Sequence, residues 1–284
     1  MDAALRRRMF TYYDKRAPDY EEAYTRGVGT ASIADPSIFT TEAERLAGVV
    51  GSFGSGRLID LACGSGYWLP HYARRCVSMT LIDQSANMLG ECRAKVRTLG
   101  MHDRCTLVQG DVLEYAFQPA AYDSALVGFL ISHLTEDQER QLFESLARML
   151  QPGGRFLILD SAWTELRARF NAKTETQTRR LNDGEEFGVY KRYLDRLDMA
   201  KWKSLYGAMT EVEYFGEALF AVSGLLGMVL WNRQKRAAEV AVAEPAQLAQ
   251  PVEIVEREDA GGQSCGHAAA GCAADEPCAD HPAL

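Results

Sequence analysis

Between Arg57 and Trp68 the chain reads Arg-Leu-Ile-Asp-Leu-Ala-Cys-Gly-Ser-Gly-Tyr-Trp, an apolar strand running into an acid and a glycine turn. Leu58, Ile59 and Leu61 suit a strand buried on both faces, as parallel strands are. Gly64 and Gly66 lack the Cβ that would keep a ligand off the backbone. A dinucleotide fingerprint needs a third, regularly spaced glycine. Here Tyr67, Trp68 and Leu69 follow Gly66 instead, which disfavours a nicotinamide or flavin dinucleotide. A second apolar strand, Met79 to Ile82, ends in Asp83 about twenty residues on, where a carboxylate can accept from both ribose hydroxyls. Thr106-Leu-Val-Gln-Gly-Asp111 repeats the pattern of an acid after a strand. Each acid alone has a local reading: ordering the turn, capping the helix that Ser85 begins, or sitting in a surface turn. Taken in order, the three form a polar rim for a nucleoside.

Strands and helices alternate along the chain, which implies a parallel sheet with right-handed crossovers. From Ser85 a helix carries Met88, Leu89, Cys92 and Val96 on one face and meets Gly100. Thr135-Glu-Asp-Gln138 has the form of a capping box, followed by Leu142, Phe143, Leu146, Met149 and Leu150, with Pro152-Gly153-Gly154 beyond. That places Phe129 to Leu134 in the loop at the carboxyl end of the fourth strand, where open parallel sheets bind ligands. Residues 162–188 replace a simple crossover with a polar, charged insertion, and insertions at this edge shape substrate pockets. Further on, Phe187 to Tyr193 alternates as a strand, Asp195 to Tyr206 is helical, and Val212 to Val222 reads as a final strand.

The formal charge of -8 is not spread evenly over the 284 residues. From Ala238 onward there are nine acids against Arg257, so the rest of the chain balances at 30 acids and 30 bases. A neutral body argues against a nucleic-acid substrate, which calls for a clustered basic surface. The longest apolar run, Leu219 to Trp231, is too short for the roughly twenty residues of a spanning helix. Leu5-Arg-Arg-Arg-Met-Phe10 lacks the apolar core of a secretory signal. With Cys63, Cys76, Cys92 and Cys105 scattered without paired spacing, the expectation is a cytoplasmic protein with reduced thiols and no membrane partner. The stretch 238–284 is acidic, rich in Ala and Gly, and expected to be disordered. It gathers Cys265, His267, Cys272, Cys278 and His281, donors suited to a soft metal, though not in the pair-and-pair spacing of a structural zinc site. No metal is expected.

These motifs together resemble the class I S-adenosylmethionine-dependent methyltransferases over roughly residues 10 to 225, and more closely a bacterial subgroup of small stand-alone members. Tyr122-Asp-Ser-Ala-Leu-Val-Gly-Phe129 matches the family's fourth strand, and Leu150-Gln-Pro-Gly-Gly-Arg-Phe-Leu-Ile-Leu-Asp160 its following turn and fifth strand. The resemblance implies one domain over 1–230. Its fold would be α/β and doubly wound: a mostly parallel seven-stranded Rossmann-like sheet with helices on both faces and an antiparallel terminal strand pair at its edge, formed by the strands at Phe187 to Tyr193 and Val212 to Val222. Residues 1–30 would form a helical lid. S-adenosylmethionine would lie against Asp60, Ala62, Gly64 and Gly66 in the loop, against Asp83, Gln84 and Met88, against Asp111 and Val112 at the adenine, and against Gly128 and Phe129. Ala62 departs from the pattern, since many members carry glycine there.

The cofactor's methyl is already activated, so aligning an acceptor and excluding water can supply most of the catalysis. A general base is optional, and His133, in the pocket loop, is the candidate. Its local alternative is a loop histidine bonding nearby backbone. Tyr12, Tyr13, Tyr20, Asp160 and Trp163 are the candidate substrate contacts, set against ordinary packing or strand-end roles. Lys191 and Arg192 either recognise a carboxylate or serve as the solvated charges of an edge strand. There is no Asn/Asp-Pro-Pro-aromatic motif after the fourth strand and no paired-glutamate loop, which favours a small-molecule acceptor and a monomer or homodimer. The competing reading is a non-catalytic protein that binds the same cofactor in a regulatory role and carries a metal-binding Cys/His tail.

Overall fold

The computed structural model describes residues 1–27 and 35–226. The chain opens with α1 (Ala3–Arg16) and α2 (Glu22–Arg26), then α3 (Pro36–Phe53), and enters the sheet at β1 (Gly56–Leu61). It continues through α4 (Leu69–Tyr72), β2 (Cys76–Asp83), α5 (Ala86–Thr98), β3 (Cys105–Gln109), β4 (Tyr122–Gly128), α6 (Glu136–Met149) and β5 (Leu150–Ser161). After α7 (Glu165–Ala168) come β6 (Thr174–Arg180), β7 (Glu186–Arg192), α8 (Arg196–Tyr206), β8 (Ala208–Phe215) and β9 (Leu219–Leu226).

Seven strands form one sheet in the order β3-β2-β1-β4-β5-β9-β8. The first five are parallel, and β9 joins β5 and β8 antiparallel. Alternating side chains feed two cores. Ile59, Leu61, Val127 and Ile158 pack beneath α6 and α8, while Leu58, Leu81, Leu126 and Leu157 pack beneath α3, α4 and α5. The helix boundaries follow the capping chemistry. Ser85 accepts from the Met88 N–H, Thr135 and Gln138 complete the capping box, and Asp195 caps α8. The strand order reverses between β1 and β4, so the loops leaving them part and open a crevice at the carboxyl edge.

Two expectations about the later strands are corrected. Phe187 to Tyr193 does not join the main sheet. As β7 it pairs with β6 in a separate antiparallel ribbon, because Phe187 and Val189 bury their face against Met9 and Tyr12 of α1. Nor is Val212 to Val222 one strand, since it is broken by a turn at Gly216 between β8 and β9. The agent of that break lies far away in sequence. Buried Glu42 of α3 accepts from the N–H groups of Glu217, Ala218 and Leu219 at 2.7, 3.0 and 2.8 Å. A Cβ on Gly216 would stand 2.3 Å from that carboxylate, so glycine is required there. Glu42→Ala strands three backbone donors, and a loss of about 3 kcal/mol in urea unfolding is expected.

Candidate active site

Asp83, at the end of β2, organises the crevice. Its two oxygens accept from the Gly64 and Ser85 N–H groups, each at 2.9 Å, which ties the loop after β1 to the start of α5. Burial pushes the carboxyl upward, and these N–H bonds oppose the rise. Ala62 has φ 57° and Gly64 φ 56°, left-handed conformations that turn the loop back over the cleft. The glycine common at position 62 in similar chains suits that geometry, and alanine holds it at a cost of about 1–2 kcal/mol.

The cleft spans about 790 Å³, part of it open to solvent, and gathers nine of the expected residues: Ala62, Gly64, Asp83, Gln84, Met88, Asp111, Val112, Gly128 and Phe129. Asp60 and Gly66 stand outside its walls. Asp60 shares the strand face of Leu58, points beneath α4, and accepts from the Tyr72 hydroxyl at 2.7 Å, with burial pushing its pKa up to about 7. Gly66, at φ 76°, is needed for packing, because an added Cβ would come within 2.8 Å of the Cys92 Sγ.

Beyond Tyr12 and Tyr13, the residues of α1 were not anticipated individually. Arg6 forms an ion pair with Asp111 and lies 3.5 Å from Glu114, while Met9 and Phe10 add apolar wall to the cleft. At the other end of the helix, Asp14 accepts from the Ser85 hydroxyl at 2.6 Å and the Asn87 amide at 2.9 Å. In the sequence, Leu5-Arg-Arg-Arg-Met-Phe10 reads as the lack of a signal peptide; the latch depends on a contact 105 residues away.

A second cavity of about 570 Å³ adjoins the first, and Tyr13, Tyr20, Phe129 and His133 line both. Phe129 holds φ 55°, an uncommon conformation for an aromatic residue and one that clusters at ligand sites. His133 Nδ1 lies 2.8 Å from the Tyr190 carbonyl, which can only accept, so Nδ1 carries the proton. Nε2, 2.9 Å from the Tyr13 hydroxyl, is therefore the acceptor. Burial, reinforced by Lys191, brings the His133 pKa down to about 3. Burial also raises the Tyr13 phenol, which keeps it a donor.

Tyr12 lines the second cavity as well. Asp160 lies behind the wall, fully buried, and accepts from the Ser132 and Ser161 N–H groups at 2.9 and 2.6 Å. Burial favours its neutral form, yet Lys191, at 3.6 Å, together with His133 and the hydrogen bonds from Ser132, outweighs that and draws its pKa down. Trp163 reaches neither cavity and stacks on Tyr193 at 6.1 Å between ring centroids. Arg192 leaves the site to pair with buried Glu139, which also accepts from Trp202 and Tyr206. Lys191, by contrast, is buried in the second cavity. Among the described residues no group of three or more metal-binding side chains occurs, and Cys265, His267, Cys272, Cys278 and His281 lie outside them.

Residues 58–154, the strands and loops that build the first cleft, match the family described as a methyltransferase domain. Over these residues the chain carries a methyltransferase domain. Curated relatives match over stretches of similar length. A phosphatidylethanolamine N-methyltransferase of Cereibacter sphaeroides is 33% identical over 105 residues, which is 37% of this chain and 50% of that protein. A ubiquinone/menaquinone biosynthesis C-methyltransferase UbiE of Psychromonas ingrahamii is 32% identical over 107 residues, 37% of this chain and 42% of that one. The chain thus spans half or less of the length of these relatives. Among solved structures, a complex of DhpI with SAH has a TM-score of 0.61 at 22% identity, covering 80% of this chain and 99% of that one. PH0226 from Pyrococcus horikoshii has a TM-score of 0.55 at 17% identity, covering 74% and 99%. At these identities the likeness establishes the fold of the methyltransferase domain and its flanking elements.

The neutral, buried state of His133 makes a prediction about acid. The unfolded chain takes up its proton near the ordinary pKa of 6.5, whereas the native state waits until about 3, so stability falls as pH drops through that window. His133→Asn should flatten the pH dependence of unfolding by up to about 1.4 kcal/mol per pH unit, as read by denaturant titration.

Proposed function

We propose that the protein transfers the methyl group of S-adenosylmethionine to a small-molecule acceptor, leaving S-adenosylhomocysteine. The observation that carries this reading is the pair of cavities that meet at Tyr13, Tyr20, Phe129 and His133, with Asp83 and the Ala62–Gly64 turn in the first. That first cavity suits the cofactor. Each Asp83 oxygen uses one lone pair on backbone and keeps another for a ribose hydroxyl, and the left-handed loop brings bare backbone to the ligand. Asp111 and Val112 lie at the adenine end beneath α1, and Gly128 and Phe129 at the junction.

The cofactor supplies an activated methyl on a sulfonium, and the chain's own residues align and enclose it. Tyr13, Tyr20 and Phe129 wall the junction with rings that exclude water, and confining two reactants in this way supplies about 7–11 kcal/mol of barrier reduction. His133 serves as a positioning residue. Its free electron pair is committed to the Tyr13 hydroxyl, which it orients toward the junction, and its low pKa suits it poorly to take a proton from the acceptor. A small acceptor fits the enclosed second cavity and the balanced charge of the chain ahead of residue 238. Among the described residues no helix is long and apolar enough to cross a membrane. The relatives' own acceptors do not carry over, because the matched region holds the cofactor cleft, whereas α1, β6 and β7 shape the second cavity.

Calorimetric titration with S-adenosylmethionine, followed by mass spectrometry for a methylated product in cell extract, tests the proposal. Asp83→Ala should weaken cofactor binding by about 2–3 kcal/mol or abolish it. Absence of binding, or binding unaltered in Asp83→Ala, would refute it. Arg6→Ala, which releases the lid from Asp111, should speed cofactor dissociation in stopped-flow competition while leaving the melting temperature within about 2 °C of the parent's.

A further inference from the structure

The hydrogen bonds at the junction of the two cavities have a fixed direction. The Tyr190 carbonyl can only accept, so it takes the His133 Nδ1–H at 2.8 Å. His133 Nε2 then offers only a lone pair, and the Tyr13 hydroxyl, 2.9 Å away, donates to it. Tyr13 makes no other hydrogen bond among the described residues. Its oxygen therefore keeps a lone pair with no donor, on a side chain that borders both cavities. Of the other residues common to the two cavities, His133 has both nitrogens engaged, Phe129 brings a hydrocarbon ring, and the Tyr20 hydroxyl lies 3.3 Å from that of Tyr24. A molecule that meets the Tyr13 oxygen must donate to it, whereas an oxyanion would set lone pair against lone pair. The four shared residues are also poorly equipped to remove a proton. His133, brought down to about 3, is too weak a base, and burial raises the Tyr13 and Tyr20 phenols, which keeps them from acting as phenolates. A hydroxyl, a thiol or a carbon acid has to lose its proton before or during attack. A neutral amine attacks with a lone pair it already has.

We propose that the acceptor atom is the nitrogen of a neutral primary or secondary amine, whose N–H donates to the Tyr13 oxygen and whose lone pair is thereby turned toward the methyl. This rests on the methyl-transfer reading and narrows it. The nitrogen lone pair forms the bond to the methyl carbon as the carbon–sulfur bond breaks and leaves its electrons on sulfur. Positive charge passes from sulfur to nitrogen, and the ammonium product gives its extra proton to water on release. Desolvation favours the neutral amine for the same reason that it keeps His133 neutral, and Lys191, in the wall of the second cavity, acts in the same direction on both. The charge that arrives on nitrogen stays among the rings of Tyr13, Tyr20 and Phe129, whose π-electrons attract a cation. As the N–H becomes more acidic during the transfer, its bond to the Tyr13 oxygen tightens, a gain made in the transition state.

Two measurements on the full chain test this. In protein carrying isotope-labelled histidine, nitrogen NMR reads which ring nitrogen of His133 holds the proton, its signal being identified by its loss in His133→Gln. The proton is expected on Nδ1, and the Nε2 resonance is expected to move in Tyr13→Phe, which takes away its donor. For the second measurement, the protein is supplied with S-adenosylmethionine bearing an isotope-labelled methyl and with the small-molecule fraction of a cell extract. Carbon–proton NMR then reads the atom to which the label is attached, since methyls on nitrogen, oxygen, sulfur and carbon resonate apart. Label on nitrogen is expected, formed about tenfold or more slowly by Tyr13→Phe. The affinity of that variant for S-adenosylmethionine should stay within about twofold of the parent's, because the ring remains, and this also shows that it is folded. A His133 proton on Nε2, label on oxygen, sulfur or carbon, or label reaching nitrogen as fast in Tyr13→Phe as in the parent overturns the amine proposal while the methyltransferase reading stands. If S-adenosylmethionine fails to bind, or its label reaches no compound, the methyltransferase reading falls and the amine proposal with it.

Discussion

The Asp160 carboxylate, at the carboxyl end of β5, joins the sheet to everything that lies over it. It fixes the loop after β4 through the Ser132 N–H and holds the ribbon through Lys191. The ribbon in turn carries the apolar face on which α1 rests, and α1 closes the cofactor cleft through Arg6 and Asp14. Such a buried pair contributes less as net stability than as a fixed register, since two desolvated charges tolerate few geometries. Both cavities thereby take their walls from one anchor. Asp160 is thus the residue through which a parallel sheet, whose strands are otherwise ordinary, acquires a roof.

The loop around Asp83 and the anchor at Asp160 divide the labour of the site. Backbone N–H groups and glycine geometry build the cofactor side, so its chemistry resides in about thirty consecutive residues and a few strand ends. Side chains from α1, α7, β6 and β7 line the second cavity, so its walls are assembled across most of the chain. The family match follows the same division, since residues 58–154 hold the strands and loops of the first of these two halves.

Sequence reasoning succeeded where contacts are local. The parallel strands, the Ser85 and Thr135 caps and the buried face of α5 follow from short-range pattern, because strand period and capping are properties of neighbouring residues. The eleven cofactor-side residues came from the family resemblance, and nine of them line the cleft. Asp60 was legible in principle: period-2 alternation puts it on the face of Leu58, away from the cleft. Other features were closed to such reading. Thr-Glu-Thr-Gln-Thr-Arg-Arg of β6 has no apolar alternation to mark it as a strand, and its pairing is decided by a partner whose inner face is covered by α1. The break at Gly216 needs Glu42, 174 residues earlier, and the lining of the second cavity needs residues as far apart as Arg16 and Arg179.

Helix α1 lies against both cavities, and this bears on the order of events in a turnover. Met9 and Phe10 cover the cofactor side, Tyr12 and Arg16 face the acceptor side, and Tyr13 borders both. On the proposed reading α1 would wall both the cofactor and its acceptor, so one displacement of the helix, parting the contacts that Arg6 and Asp14 make, would open the two cavities together. Two chambers that share a wall cannot be adjusted separately, and any change in α1 is felt in both.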